Sequence, residues 1–444
     1  MDILKVRMGF GLVNDISREY SYKILKGYWA SDASNINIYL NNYLDKNISR
    51  DCNKRFVSNL CLGTIRLYAR YDYILKLLYN GNYDKLDIGI KVILRIGLHQ
   101  IEDFDTVPDY ASINSTVDMI KKYYNGFEST ANALLRNYLR KKSSIDNFSL
   151  SDGHEKISAL LSMPLWIFNK WVEKMSLEKA IDLCHIQNKK PKIWFRTNNQ
   201  KICEDIQGID FFNEEKRYFT LHGGVNELLQ SDSFRYGDIT VQNPINGYIV
   251  DLLDLKEGET VIDVCSAPGG KFSLICNLIP DTKVFGFDIS EKRLEKQKKS
   301  LKRQKIKNYE SSMKDALKSK FPYSDKILLD VPCSGTGVMS RRADLRWNRS
   351  KKDLVELNRM QIKMLENCAK YVKDQGRMVY STCSIEEEEN ELIVEKFLFK
   401  NKNFRLVSPE AYIPKEYTRD KFLNILPNSN SLDGGFAAIM EKNA

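Results

Sequence analysis

The chain has 444 residues, a formal net charge of +10 and a hydrophobic content of 43%. This length predicts a multidomain protein with two or three hydrophobic cores, because single cores stop growing beyond about 250–300 residues. Charged residues interrupt every apolar stretch before it could span a bilayer, and the N-terminus lacks the pattern of a secretory signal, so a cytoplasmic protein is expected rather than a membrane or secreted one.

The first part of the chain has a helical pattern. Residues 1–142 carry apolar side chains at helical spacing, as between Ile90 and Leu98, with few Pro or Gly breaks. This pattern predicts an all-α domain. The polar stretch KKSSIDNFSLSDGHE that follows is typical of a linker. A short helical pattern and then strand-like pieces predict a small α+β module over residues 143–238.

After Asp238 the pattern changes to short strands that alternate with helices. The strands are TVIDV, KVFGF, KILLD and GRMVY, and a loop follows each of them. This alternation predicts a parallel, doubly wound α/β domain over residues 239–444. Ligands bind such a sheet at the carboxyl ends of its strands, so functional residues are expected directly after each strand.

Two of these strand ends favour a nucleoside cofactor. The strand TVIDV leads into Cys265–Lys271 (CSAPGGK), which we call the Gly-Gly loop. Glycines let the backbone approach a ligand closely, and a helix N-terminus attracts a carboxylate. Asp288 follows KVFGF, where an acid binds ribose hydroxyls in related sheets. An acid there is also a common helix N-cap, but the Gly-Gly loop favours the cofactor interpretation.

Two further strand ends carry cysteines, Cys333 after KILLD and Cys383 after GRMVY. Two thiols on one edge of a sheet favour chemistry over the packing role usual for a single cysteine. A thiolate is suited to add to C6 of cytosine, which lets C5 attack a methyl sulfonium donor. Asp330, which ends KILLD, is placed to bind the N3 and N4 edge of the base. These residues alone do not decide which cysteine attacks.

The other cysteines and the histidines form no recognisable site. The nine cysteines are an odd number without a CxxC pair, so neither a disulfide framework nor a zinc site is expected. The four histidines are scattered without ligand spacing, and no metal is expected; they are His99, His154, His185 and His222.

The positive charge is concentrated in two stretches, which favours an anionic polymer as a partner. Residues 291–307 hold nine Lys or Arg against two Glu. A solvated helix face is an equal alternative for this stretch. The second stretch follows the first cysteine motif and contains Arg341, Arg342, Arg346, Arg349, Lys351 and Lys352.

The motifs together resemble the Sun/Fmu family of RNA cytosine-5 methyltransferases, in the bacterial form that modifies small-subunit (16S) ribosomal RNA. The matching segments are CSAPGGK, MKDAL, LLDVPCSGTGV and YSTCSIEEEEN. The stretch ILRIGLHQIEDFDTVPDYASINSTVDMIKKY is similar to a NusB-type RNA-binding domain, and LDGGFAAIMEK is similar to the final hairpin of the catalytic domain. Two departures are small: Ser266 replaces a usual Ala, and Ala343 lies near a usual Pro.

The resemblance implies an all-α NusB-like domain, an RNA-recognition-like α+β module and a Rossmann-like methyltransferase domain that uses S-adenosylmethionine. It implies that Cys383 is the nucleophile, that Cys333 assists product release and that Asp330 binds the base. The implied donor-site residues are Cys265, Ser266, Ala267, Pro268, Gly269, Gly270, Lys271, Asp288, Asp315 and Asp330.

The expected substrate is a cytosine of 16S ribosomal RNA in an unassembled or partly assembled small subunit, and the expected state is a monomer without membrane or metal. The base must be unstacked to meet a thiol, so a loop or bulge in folded RNA is expected. Two alternatives stay open. A transfer RNA cytosine-5 methyltransferase would share every catalytic residue. A non-catalytic RNA-binding or antitermination-type factor would have lost Cys383, Asp330 or the Gly-Gly loop, and all three are present.

Overall fold

A computed structural model describes residues 2–47, 52–197, 206–212, 217–222 and 225–444, with side chains from residue 16 onward. The chain divides into two compact units. Unit 1 contains residues 1–190 and 339–348, and unit 2 contains residues 191–338 and 349–444. Across the described residues, no helix is long and apolar enough to cross a membrane.

Unit 1 is built from helices, which confirms the all-α prediction for the N-terminal part. Its helices are α1 (Asp2–Trp29), α2 (Ile36–Asn47), α3 (Lys54–Arg66), α4 (Tyr68–Leu78), α5 (Ile88–Asp103), α6 (Asp109–Tyr123), α7 (Glu128–Asp146), α8 (His154–Leu160), α9 (Leu165–Met175) and α10 (Leu177–Asn188). Helix α5 is central to the core, because its residues from Gly89 to Gln100 are almost all buried. The side chain of Asp87 caps this helix by accepting from the Gly89 N–H.

The linker prediction is wrong for its first six and its last two residues, because α7 continues through residues 141–146 and α8 begins at His154. A buried apolar contact and an ion-pair cluster hold the last part of α7. Ile145 is 5% exposed. The Arg70 guanidinium lies 2.8 Å from a Glu102 carboxylate oxygen and 2.5 Å from an Asp146 oxygen. These partners are distant in sequence, so the local polar composition did not reveal them.

Residues 339–348 belong to unit 1, although they come from the second basic stretch and its surroundings. Arg346 is fully buried. Its guanidinium donates to the Ser162 carbonyl at 3.0 Å, the Gln187 carbonyl at 3.1 Å and the Asn188 side-chain oxygen at 2.6 Å. The interpretation of Arg346 as part of an RNA-binding surface is therefore wrong, because every direction of this side chain faces protein.

Unit 2 begins with a small α+β part. Its strands are β1 (Phe195–Thr197), β2 (Ile209–Phe211), β3 (Tyr218–Leu221) and β4 (Ile239–Val241), with helices α11 (Val225–Gln230) and α12 (Asp232–Arg235). The strands form an antiparallel sheet in the order β2-β3-β1-β4. The division into three domains stays a prediction: of the predicted module 143–238, helices α8–α10 lie in unit 1 and this sheet lies in unit 2.

The rest of unit 2 is a larger α/β part. Its helices are α13 (Ile245–Asp251), α14 (Gly270–Leu278), α15 (Glu291–Arg303), α16 (Lys351–Ala369) and α17 (Glu391–Lys400). Its strands are β5 (Val261–Asp263), β6 (Val284–Asp288), β7 (Tyr309–Met313), β8 (Ser324–Asp330), β9 (Val372–Thr382), β10 (Phe404–Val407), β11 (Thr418–Arg419), β12 (Phe422–Ile425) and β13 (Gly435–Lys442).

The large sheet has the order β11-β12-β13-β9-β8-β5-β6-β7, and β10 pairs with β13. Strands β9, β8, β5, β6 and β7 are parallel, which confirms the predicted sheet. The pairs that involve β10–β13 are antiparallel. Among the five parallel strands, chain order runs outward in both directions from the neighbours β5 and β8, so their carboxyl ends form the switch point where ligands bind such sheets.

Candidate functional site

The Gly-Gly loop occupies the predicted place between β5 and α14. Gly269 has φ +106°, a left-handed conformation, and a Cβ there would lie 2.8 Å from Gln297 Cγ. The Ser266 N–H donates to the Phe287 carbonyl at 2.8 Å, and Gln297 Nε2 donates to the Ser266 carbonyl at 3.2 Å. These bonds fix the loop against β6 and α15 with its glycines at the start of α14.

Asp288 connects the end of β6 to this loop. Its carboxylate accepts from the Ser290 N–H at 2.9 Å and from the Ala267 N–H at 3.2 Å, and Arg293 lies 3.4 Å from it. The N-cap of α15 is Ser290, so Asp288 is not the cap that the alternative interpretation required. Asp315 follows the neighbouring strand β7, whose Met313 is in register with Asp288. Both acids therefore lie on one edge of the sheet.

A partly buried ion pair joins the Gly-Gly loop to β8. Lys271 Nζ lies 2.8 Å from an Asp330 carboxylate oxygen, and the Ser381 hydroxyl donates to the other oxygen at 2.8 Å. Burial lowers the pKa of Lys271, but Asp330, with a smaller effect from Cys383, outweighs it, and the net shift is upward. Lys271 thus stays a cation between the loop and the predicted base-binding acid.

Asp263 is an acid that the sequence argument missed, at the last position of β5. It is 1% exposed, and burial, with the nearby Asp330 carboxylate, raises its pKa well above the ordinary value. Its surroundings therefore favour the protonated form of this carboxyl group. Its position at a strand end on the ligand edge was a signal that could have identified it.

The two predicted cysteines meet, as their strand ends indicated. Cys333 Sγ and Cys383 Sγ are 3.0 Å apart, and both thiols are free. The Gly337 N–H donates to the Cys383 carbonyl at 3.0 Å and ties the two loops together. The hydrogen bond with Cys383, together with burial, raises the pKa of the Cys333 thiol well above its usual value. This shift favours the protonated form of the Cys333 thiol.

Glu389, which follows Cys383 in the chain, holds the loop that carries Cys333 in place. This loop, residues 331–335, is called the Cys333 loop below. The Glu389 carboxylate is fully buried; it accepts from the Ser334 N–H at 2.8 Å, from the Ser334 hydroxyl, and from Gln361 Nε2 at 2.9 Å. Gln361 Nε2 also donates to the Pro332 carbonyl at 2.9 Å. Sequence reasoning missed Glu389, because it stands within a run of four acids (EEEE) of the kind that usually faces solvent.

The resemblance implies covalent capture of a cytosine, and on that basis we expect Glu389→Gln to slow capture about 100-fold. Its amide would oppose the donors of Ser334 and displace Cys333, and small displacements at a reacting centre cost on that order. The measurement is the rate of cross-linking to RNA that contains 5-fluorocytosine. Glu387→Gln, in the same run but exposed, is the matched control. Equal rates for the two variants would contradict a positioning role for Glu389.

The basic stretches have different environments. In the first, Lys292, Lys296 and Lys299 are exposed on α15. In the second, Arg342 pairs with Asp344 at 3.1 Å within unit 1, while Arg349 Nε donates to the Ser334 carbonyl at 3.3 Å within unit 2. Arg349 therefore lies directly beside the Cys333 loop.

The structure also places the histidines. His99 is buried and shares a 2.8 Å hydrogen bond with the Tyr71 hydroxyl, and burial lowers its pKa to about 4. The His154 ring pairs with Asn169 at 2.8 Å. Within the described residues, no group of three or more His, Cys, Asp or Glu side chains is arranged to hold a metal ion.

Comparisons with known proteins agree over most of the chain. Residues 250–441 match the model of the 16S rRNA methyltransferase RsmB/F family, and residues 15–140 match that of the NusB family. The probable ribosomal RNA small subunit methyltransferase B of Bacillus subtilis (strain 168) is 28% identical, over 91% of this chain and 94% of its own. The ribosomal RNA small subunit methyltransferase B of Cronobacter sakazakii is 27% identical, over 88% and 91%.

The fold also has a solved counterpart. The crystal structure of PH0851 is 23% identical to this chain, covers 96% of it and 99% of its own length, and has a TM-score of 0.76. This likeness concerns the fold, which includes both the helical N-terminal part and the mixed sheet.

Proposed function

We propose that this chain methylates C5 of a specific cytosine in 16S ribosomal RNA in the cytoplasm. The chain belongs to the RsmB/F family of methyltransferases and carries a NusB-family domain at its N-terminus. The observation that carries the proposal is the pair of thiols 3.0 Å apart at the carboxyl ends of β8 and β9. This pair lies next to the ion pair of Lys271 and Asp330. Such an arrangement suits covalent addition to a pyrimidine.

The residues present fit S-adenosylmethionine. The buried Ser266 hydroxyl has no hydrogen-bond partner within the described part of the chain, which leaves a polar group free for a ligand. The Gly269–Gly270 turn keeps side chains away from the start of α14, and Asp288 lies at the ribose position of such sheets. When bound there, S-adenosylmethionine supplies an electrophilic methyl group.

In the proposed reaction, Cys383 attacks C6 of the cytosine and forms a sulfur–carbon bond, while Asp330 binds the N3 and N4 edge of the base. The electron pair pushed to C5 forms the bond to the methyl carbon as the methyl–sulfonium bond breaks. The C5 proton then passes to solvent water, and the electrons of the C5–H bond restore the C5–C6 double bond as the C6–sulfur bond breaks and Cys383 leaves as a thiolate. Cys333, 3.0 Å from Cys383, assists this last step.

The direct test is methylation of 16S ribosomal RNA, naked and in small-subunit particles, by the purified full chain, followed by bisulfite sequencing. We expect one protected cytosine in 16S RNA. Transfer RNA in a parallel reaction tests the alternative substrate. Protection in transfer RNA alone would replace the ribosomal assignment, and protection in neither would favour the non-catalytic alternative.

We expect Asp288→Ala to weaken S-adenosylmethionine binding about 10- to 100-fold, because it removes a charged hydrogen-bond partner of the ribose and loosens the loop bonded through Ala267. Calorimetric titration measures the affinity, and thermal unfolding checks that the fold is intact. Asp281→Ala, at an exposed site, is the control. Unchanged affinity in Asp288→Ala would refute the ribose assignment.

A further inference from the structure

Gln242 is a buried amide with an unused donor beside the start of α14. It follows β4 directly and is 5% exposed. The Tyr218 hydroxyl donates to Gln242 Oε1 at 3.3 Å, and this bond sets the orientation of the amide. Gln242 Nε2 has no hydrogen-bond partner within the described residues. A Cβ built on Gly270 would lie 3.5 Å from this nitrogen, so the free donor faces the first residue of α14.

The same corner contains further unused donors. The first N–H groups of any helix have no acceptor within the helix. In α14, which has nine residues, the N-cap is Gly269, and no side-chain cap is found within the described residues. Buried donors are nearly always satisfied in folded proteins, and leaving one unpaired is costly. The amide of Gln242 and the uncapped N–H groups therefore form a site for an anion.

Lys271, the cation nearest to this corner in the sequence, already has an ion-pair partner. Lys271 Nζ is paired with Asp330 at 2.8 Å, so it is directed towards the end of β8 and the thiols. Lys271 therefore does not neutralise an anion at the start of α14, where the uncapped N–H groups and the Gln242 amide are neutral donors. Asp288, at the end of β6, repels a carboxylate and suits ribose hydroxyls instead.

We propose that Gln242 Nε2, with the uncapped N–H groups of α14, binds the methionine carboxylate of the methyl donor. This inference rests on the proposed function and adds to it a residue outside the Gly-Gly loop. It makes β4 part of the donor site, so the small α+β part of unit 2 contributes to cofactor selection as well as to folding. A methyl donor that lacks the carboxylate should bind with the same affinity whether or not Gln242 is present.

The test compares S-adenosylmethionine with decarboxylated S-adenosylmethionine in calorimetric titrations of the full chain. For Gln242→Leu we expect about a 10- to 100-fold loss of affinity for S-adenosylmethionine, the range for a hydrogen bond to a charged group, and less than about a threefold change for the decarboxylated ligand. Gln230→Leu, the same substitution at an exposed helix end, should match the wild type for both ligands.

Gln242→Glu is a second variant that keeps the side-chain shape and an acceptor for Tyr218. Its carboxylate should repel that of S-adenosylmethionine, so this variant should prefer the decarboxylated ligand. Equal losses for the two ligands in both variants, or no loss for S-adenosylmethionine, would overturn the carboxylate assignment. If the wild type binds neither ligand, the failure lies with the proposed function itself.

Discussion

Cys383→Ala is expected to abolish both methyl transfer and the covalent RNA adduct, whereas Cys333→Ala is expected to form the adduct and accumulate it. Without a sulfur–C6 bond, C5 never becomes nucleophilic, and loss of a catalytic nucleophile lowers turnover on the order of 10⁴-fold or more. The structure supports this division, because the hydrogen bond to Cys383 and burial favour the protonated form of Cys333.

The two variants should look opposite on a denaturing gel after incubation with cytosine-containing RNA and S-adenosylmethionine. RNA with 5-fluorocytosine blocks loss of the C5 substituent, so it should trap the wild type and Cys333→Ala but not Cys383→Ala. Cys368→Ala, which changes a buried cysteine in α16, serves as the control. Mapping of the trapped peptide to Cys333 would reverse the assignment of the two cysteines.

Asp330→Asn is expected to lower the single-turnover methylation rate about 100- to 1,000-fold at saturating S-adenosylmethionine. The variant removes the charge that stabilises the base during addition and the partner that holds Lys271. The Asp330 carboxylate raises the pKa of Lys271, so its loss leaves burial to lower that pKa. Lys271 should therefore lose its proton at a lower pH in the variant than in the wild type. The residual activity that depends on this cation should fall as the pH rises through that range.

A closely matched control lies on the same strand. Asp325, near the start of β8, pairs with Lys373 at 2.8 Å, the same distance as in the pair of Lys271 and Asp330. Asp325→Asn should change the rate less than about threefold, because this pair is far along the strand from the thiols. A similar rate loss in both variants would indicate a general effect on the sheet rather than a role in the reaction.

The sequence predicted the parts of the site that are local in the chain. Strand ends followed by Gly, Asp or Cys can be found from short patterns, and parallel strands bring such ends to one edge, as the contact of Cys333 with Cys383 confirms. Their chemical roles remain predictions. The helical N-terminal part was equally accessible, because its core follows a helical period.

The residues that were missed act through distant partners. Glu389 bonds Ser334, 55 positions away, and nothing in the run of four acids distinguishes its two buried members, Glu386 and Glu389, from the other two. Arg346 bonds Ser162, 184 positions away, so a local count of basic residues placed it wrongly on the surface. The continuation of α7 to Asp146 depends on Arg70 in the same way. In each case the pairing, and not the residue type, decides the role.

Because residues 339–348 belong to unit 1, this unit is completed late during synthesis of the chain. The ribosome makes residues 1–190 first and then the first half of unit 2, and only afterwards the ten residues that complete unit 1. Until then the Ser162 and Gln187 carbonyls lack Arg346, and the apolar core lacks Ala343. Domains usually fold from the N-terminus while the chain emerges. Unit 1 is completed only when residues 339–348 have been made, so we expect a nascent chain stalled before residue 339 to be more sensitive to protease in its helical part than one released at full length.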